Sequence, residues 1–525
     1  MNGKTDRRRG WRRTGALAAV AAVAVLATAC SPARISRISF GGSASAGSAA
    51  YRAELAYAHC MQTHGVPGYP DPEPSASFGI RVHLHVTPGS PAARAIEACQ
   101  HLLPRASTAA SAAPAPAGGV PADCLALRPP CYTPRQLRVA YGIQPLLDRG
   151  ITGRGQTVVL PEFPPPAAGS PSAVSGVQVP ASSDIRQDLA RFDAMFGLPA
   201  AHVQVVNTLA HVASPWLAAP EEVGDTEIVH ALAPDAAIRE VLIPSPYTAD
   251  SGPVAAAVVA ALRLGLAQGG VISLSAGAGE QCFTRAVAAQ VNSVLQAAQR
   301  DRVTVVISTG DSGAATTACP PQTGSSAVKG VDLPASDPFA LAVGGTSLQA
   351  SQATGAYVGE TAWNTPPSAG GPRGGGGGFS ALFPRPAYQD GIAGIGATRG
   401  VPDVAADADP RPGMAIAFSG GGHGDILVGG GGTSVAAPLW AAVIALADQY
   451  AGRHLGFVNP ALYLIGRSAY YHQAFHDVTT GTNTVELPTG TITGYHAAPG
   501  WDPVTGWGSP NAQVLVPLLA RYASP

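Results

Sequence analysis

The chain reads as an α/β protein: a doubly wound parallel sheet flanked by helices, preceded by a small disulfide-stapled helical module. Three observations predict this. After Cys124, short apolar runs rich in Val and Ile recur, among them 156–160, 237–243, 270–275 and 303–308. They are mostly apolar without strict polar–apolar alternation, as strands buried on both faces are. Ala-rich stretches of helical length separate them, at 185–196, 254–268 and 285–300, and strand–helix alternation of this kind winds a parallel sheet. Ahead of them, two cysteines sit in about fifty residues, bounded by an Ala/Pro-rich segment; so short a unit needs a staple.

Composition narrows the function. Of 525 residues, 32 are Lys or Arg and 33 are Asp or Glu, giving a net charge of −1 and a charged fraction of 12%, against about a quarter in average soluble proteins. Nothing here supplies the basic excess that phosphate binding needs, so nucleic acid is excluded as a partner. The chain is also too apolar for a disordered polyelectrolyte.

Residues 1–30 read as a signal peptide of lipoprotein type. Arg7, Arg8, Arg9, Arg12 and Arg13 precede an uncharged Ala/Val/Leu run from Thr14 to Ala29. That run is short for a bilayer span, although a retained anchor is the other reading. Small residues before Cys30 resemble a bacterial lipoprotein processing site, with Cys30 lipidated. Setting Cys30 aside turns seven cysteines into six, which an oxidising compartment lets pair. Nearest-neighbour pairing gives Cys60–Cys99, Cys124–Cys131 and Cys282–Cys319, one of fifteen connectivities. Residues 31–50 read as a tether and 51–104 as the stapled module. Its Cys-Met, His-Gly-Val-Pro and Pro-Asp-Pro run resembles a module of exported actinobacterial lipoproteins, which names no activity. Residues 105–122 read as an Ala/Pro-rich linker and 123–525 as the main domain.

Three segments of that domain carry chemistry. Gly429–Gly432 leads into Thr433-Ser434-Val435-Ala436-Ala437-Pro438, then an Ala-rich helix at 439–450. A Ser at such a junction is either a plain helix cap or a nucleophile beside a helix N-terminus that favours developing negative charge. Pro220-Glu221-Glu222-Val223-Gly224-Asp225 places Glu221 and Asp225 on one helix face; this is a solvated acidic first turn or an acid pair. Ser308-Thr309-Gly310-Asp311-Ser312-Gly313 puts Asp311 at a strand end, as a turn residue or where open α/β sheets hold their sites. None of the thirteen histidines has the glycine-rich setting of a subtilisin base.

Together, in type and order, these segments resemble the sedolisins, serine-carboxyl peptidases of the subtilisin-like clan, over about 124–525. The resemblance implies a subtilisin-like sheet, with Ser434 as nucleophile, Glu221 as its base and acid, Asp225 orienting Glu221, Asp311 as the oxyanion-hole acid and Glu162 supporting Asp225. It also implies one structural Ca2+ held by Asp477 and Asp502 with the carbonyls of Val478, Ala498 and Gly500. Ala276 stands where many members carry an aromatic residue, and no long inhibitory prosegment is recognisable. The resulting expectation is a monomeric acid endopeptidase acting on polypeptides, secreted or held at the outer face of the membrane only through Cys30. A catalytically silent binding protein on the same fold, or a tripeptidyl-peptidase-like exopeptidase, are the alternatives.

Overall fold

The computed structural model describes residues 33–35, 49–67, 84–86, 94–95, 98–99, 124 and 131–523, the last with gaps at 166–171, 175–176, 210–211, 213, 244–253, 317–326, 366–372, 420–424 and 488–489. The signal segment with Cys30, and Cys319, lie outside the described residues. Two compact units divide at Ala113/Pro114.

In the first unit, the helix Ala49–Thr63 carries Cys60, which is disulfide-bonded to Cys99. Tyr57, Ala58, Met61 and Ala95 pack around that bridge. Ala33–Ile35 pairs antiparallel with Leu84–Val86, so part of the stretch read as a tether is in a strand.

The second unit is built on an eight-stranded sheet. In chain order its strands and helices are β1 (Thr157–Glu162), α1 (Ile185–Phe196), β2 (His202–Asn207), α2 (Pro220–Leu232), β3 (Ala237–Leu242), α3 (Val254–Leu266), β4 (Val271–Leu274), α4 (Arg285–Arg300), β5 (Thr304–Ser308), β6 (Leu341–Ala350), β7 (Tyr357–Ala362) and β8 (Val404–Asp407). A hairpin, β9 (Met414–Phe418) and β10 (Ile426–Gly430), leads into α5 (Thr433–Ala451). Spatial order is β7-β6-β5-β4-β1-β3-β2, with β8 also paired to β6. All pairs are parallel except β6–β7.

Each sheet face has its own core, and alternate strand residues feed them. Val158, Leu160, Val306 and Val343 join one core with α2 and α5. Val159, Ile272, Val305 and Ile307 join the other with α3 and α4. Period-two alternation with both faces covered is why these strands read as unbroken apolar runs.

Two elements differ from the sequence reading, both at the site. β1 continues past Leu160 to Glu162, which stands on the strand end. α5 begins at Thr433 rather than near Leu439, so Ser434 lies inside its first turn. Gly432 makes that start possible: its φ is +109°, and a Cβ there would lie 2.7 Å from an Asp311 carboxyl oxygen, so no side chain fits. Pro438 therefore stands in the second turn, where it cannot donate to the carbonyl of Ser434. Cys124–Cys131 is formed and Cys282 is disulfide-bonded.

Candidate active site

β5, β4 and β1 lie side by side and parallel, so their C-terminal ends form one edge. Asp311 follows β5, Ser275 follows β4 and Glu162 ends β1. Open α/β sheets hold their ligands along this edge. Two helix N-termini meet it: α2 brings Glu221 and Asp225, and α5 brings Ser434. α2 and α5 pack against each other. α2 also packs on β9: a Cβ on Gly224, between the two acids, would come 2.9 Å from the Ile416 side chain.

Ser434 is partly buried, and its hydroxyl interacts with the Glu221 carboxyl, favouring the ionised acid. Glu221 is exposed as a residue, although the protein around its carboxyl desolvates the acid. That desolvation raises its pKa, Asp311 adds to the rise, and the Ser434 hydroxyl opposes it. A raised carboxylate is a stronger base, which a serine nucleophile requires.

Asp225 is 1% exposed. Its Oδ2 accepts from the Ser275 hydroxyl at 2.6 Å, and its carboxyl lies close enough to that of Glu162 to share a proton with it. A bond between two carboxyls requires a proton on one of them. A shared proton also accounts for two buried oxygens, Asp225 Oδ1 and Glu162 Oε1, that otherwise have no donor. Burial, then mutual repulsion among neighbouring acids, holds both groups well above the usual carboxyl range.

Asp311 Oδ1 accepts from the Thr433 backbone N–H at 2.8 Å and from its hydroxyl at 3.0 Å. Burial raises the Asp311 pKa; the two Thr433 bonds and the Arg373 guanidinium, 3.9 Å from Oδ2, pull against it. The acid at the expected oxyanion position is thereby held one residue from the expected nucleophile.

No protein-family model matches the chain. Among characterised proteins it is 32% identical over 407 residues to kumamolisin of Bacillus sp., covering 75% of this chain and 65% of that one. It is 30% identical over 279 residues to tripeptidyl-peptidase 1 of Homo sapiens, 47% and 43% of the two chains. Its fold matches Pseudomonas sedolisin, a serine-carboxyl proteinase solved with two molecules of pseudo-iodotyrostatin, with a TM-score of 0.60 and 25% identity over 75% of this chain and 99% of that one. The chain is thus homologous to sedolisin-family peptidases over about three-quarters of its length. It spans less than two thirds of the length of the characterised relatives named.

The five expected metal-site residues also come together. Asp477 accepts from the Gly500 N–H at 3.2 Å. Asp502, 2% exposed, accepts from Ala498 N and Thr505 Oγ1, and the same hydroxyl reaches the Val478 carbonyl at 3.5 Å.

Three features of the site escaped the sequence reading. Ser275 is the first: besides Asp225, its hydroxyl reaches the Ser434 carbonyl at 3.1 Å, the one that Pro438 leaves without its helical donor. It ties the acid pair to the nucleophile's own backbone, and Ser-x-Gly beside β4 gave no signal of it. Arg373 is the second, a lone cation inside a glycine run. The third is Glu240 on β3, which accepts from Thr226 at 2.7 Å and stands near Glu222. Glu222 turns back to cap α2 through the Ala219 N–H at 2.8 Å, so the acid beneath the pair is a strand residue unreadable from helix spacing.

Ser275→Ala removes one charge-assisted hydrogen bond, worth roughly 1.5–3 kcal/mol, and kcat/KM is expected to fall about 10- to 100-fold. Steady-state kinetics check this, and an unchanged value would show that the bond does not hold Asp225 in place.

Buried acids, in the site and elsewhere in the domain, also set stability. A carboxyl held above its unfolded value keeps a proton that the unfolded chain releases. Its contribution is complete below the unfolded value near 4 and is lost as pH rises through the folded value. Burial pushes Glu240 and Asp332 up to about 7 and Asp337 to about 6. Calorimetry is therefore expected to give a higher Tm at about pH 4 than at about pH 7.5; the reverse order would contradict these burials.

Proposed function

We propose that the chain is an acid serine-carboxyl peptidase that hydrolyses peptide bonds through Ser434. The meeting of Ser434 and Glu221 at the sheet edge, with Ser434 next in sequence to the Thr433 that holds Asp311, carries this reading. Ser434 Oγ attacks the carbonyl carbon while Glu221 takes its proton. Asp225, fixed by Glu162 and Ser275, orients Glu221 and lowers the cost of its charge changes. Asp311, protonated in acid, donates to the oxyanion, whereas its ionised form would repel it. Glu221 returns the proton to the leaving amine, then activates a water against the acyl-enzyme.

The chain is proposed to work as an exported monomer on polypeptides, secreted or anchored through lipidated Cys30. Among the described residues no helix is long and apolar enough to cross a membrane. Kinship with tripeptidyl-peptidase 1 favours a second reading, removal of tripeptides from free N-termini. Digestion of an acid-unfolded protein at about pH 4 tests both readings. Internal fragments that also arise from an N-acetylated substrate support the endopeptidase. Release of tripeptides from free N-termini alone supports the exopeptidase, and no cleavage overturns both.

Asp477 and Asp502, with the Val478, Ala498 and Gly500 carbonyls, offer only hard oxygen donors, which suits Ca2+. Burial pushes the Asp502 carboxyl up to about 6, a cost that a cation would relieve. Ca2+ there would cross-link the loops without touching the reacting atoms. Chelation is expected to lower Tm by a few degrees; an unchanged Tm would count against the site.

A further inference from the structure

The first unit carries a second constellation, remote in sequence from the acids. Cys60 and His64 are four residues apart at the end of the helix Ala49–Thr63, hence on one face. His64 Nδ1 lies 3.6 Å from Cys60 Sγ and 2.9 Å from the Cys60 carbonyl. Cys99 brings the second sulfur. One ligand atom from each of the three residues falls within 4.8 Å of the others, and they are the one group of its kind among the described residues. His64 is exposed, Cys60 is partly buried and Cys99 is fully buried against Met61 and Tyr57. The imidazole is therefore reachable from solvent while the sulfurs are held in place from below.

While the sulfurs are bonded to each other they cannot act as thiolate ligands. We propose that Cys60, His64 and Cys99 form a Cu+ site that opens when a dithiol reduces the disulfide. The dithiol gives two electrons and two protons and becomes a disulfide; Cys60 and Cys99 become thiols. Cu+ then displaces both thiol protons and binds two thiolates and one imidazole nitrogen. Two thiolates select a soft ion. Zn2+ in structural sites takes four ligands, whereas the described residues supply three. The reducing conditions that open the bridge also keep copper as Cu+.

The test uses the full chain, reduced with dithiothreitol, desalted without air and titrated against the coloured Cu+ complex of bicinchoninate. Reduced wild type is expected to take one more Cu+ per chain than reduced Cys60→Ser/Cys99→Ser, a difference that cancels uptake by the remaining cysteines. Unreduced wild type should not take that ion. His64→Ala retains the disulfide, so its fold can be confirmed by circular dichroism before reduction. It should bind at least about tenfold more weakly, since even a hydrogen-bond partner of a ligand is worth that much. Equal uptake by wild type and the double variant, equal uptake before and after reduction, unaltered affinity in His64→Ala, or preference for Zn2+ in direct competition would each overturn the proposal.

Discussion

Ser434→Ala lowers kcat on peptides by on the order of 10⁴-fold or more, the scale on which removing a serine nucleophile acts. The substitution deletes only Oγ. Gly432 still turns the chain into α5, Thr433 still holds Asp311, and Ser275 still reaches the residue 434 carbonyl, because those bonds use other atoms. The variant should therefore fold with a Tm close to wild type, separating loss of chemistry from loss of structure. Glu221 loses the hydroxyl that opposes its rise, so its carboxyl should titrate higher still. Kinetics on a quenched peptide, read beside a thermal melt, check both halves; substantial residual turnover would remove Ser434 from the reaction.

Asp311→Ala is expected to cost about 10²- to 10³-fold in kcat, as loss of one oxyanion donor does. Asp311→Asn separates donation from titration. Its amide can accept from Thr433 and still donate to an oxyanion, but it does not ionise near neutrality. Wild-type activity should fade as pH rises through the Asp311 pKa, because the ionised acid no longer donates. In Asp311→Asn that limb should disappear and activity should extend toward neutral pH. Parallel pH profiles check this; identical alkaline limbs would assign the limb to another group.

The sheet was legible because burial on both faces writes itself into a strand as unbroken Val and Ile. α1 and α4 match the sequence reading end to end, since their apolar periodicity runs from start to stop. Strand ends were less legible. β1 runs on to Glu162 although Pro161 interrupts its apolar pattern, and a strand that ends in a buried acid has no hydrophobic signature. The start of α5 was hidden for a related reason: glycine and small residues read as loop, while Gly432 in its left-handed conformation sets the helix start at Thr433. Glu221, Asp225, Asp311 and Ser434 were identifiable from three local strings, each kept within a few residues. Ser275, Arg373 and Glu240 were not. Their roles arise from contacts between segments distant in sequence, and their residue types are ordinary at a strand end, in a glycine run and on a strand.

The pH dependence of kcat/KM for the wild-type chain on an internally quenched peptide tests the central claim most directly. A nucleophile served by raised carboxyls and a protonated oxyanion acid predicts a maximum in the acid range and a steady fall toward neutrality. A maximum near pH 8 would contradict the carboxyl chemistry assigned to Glu221 and Asp311.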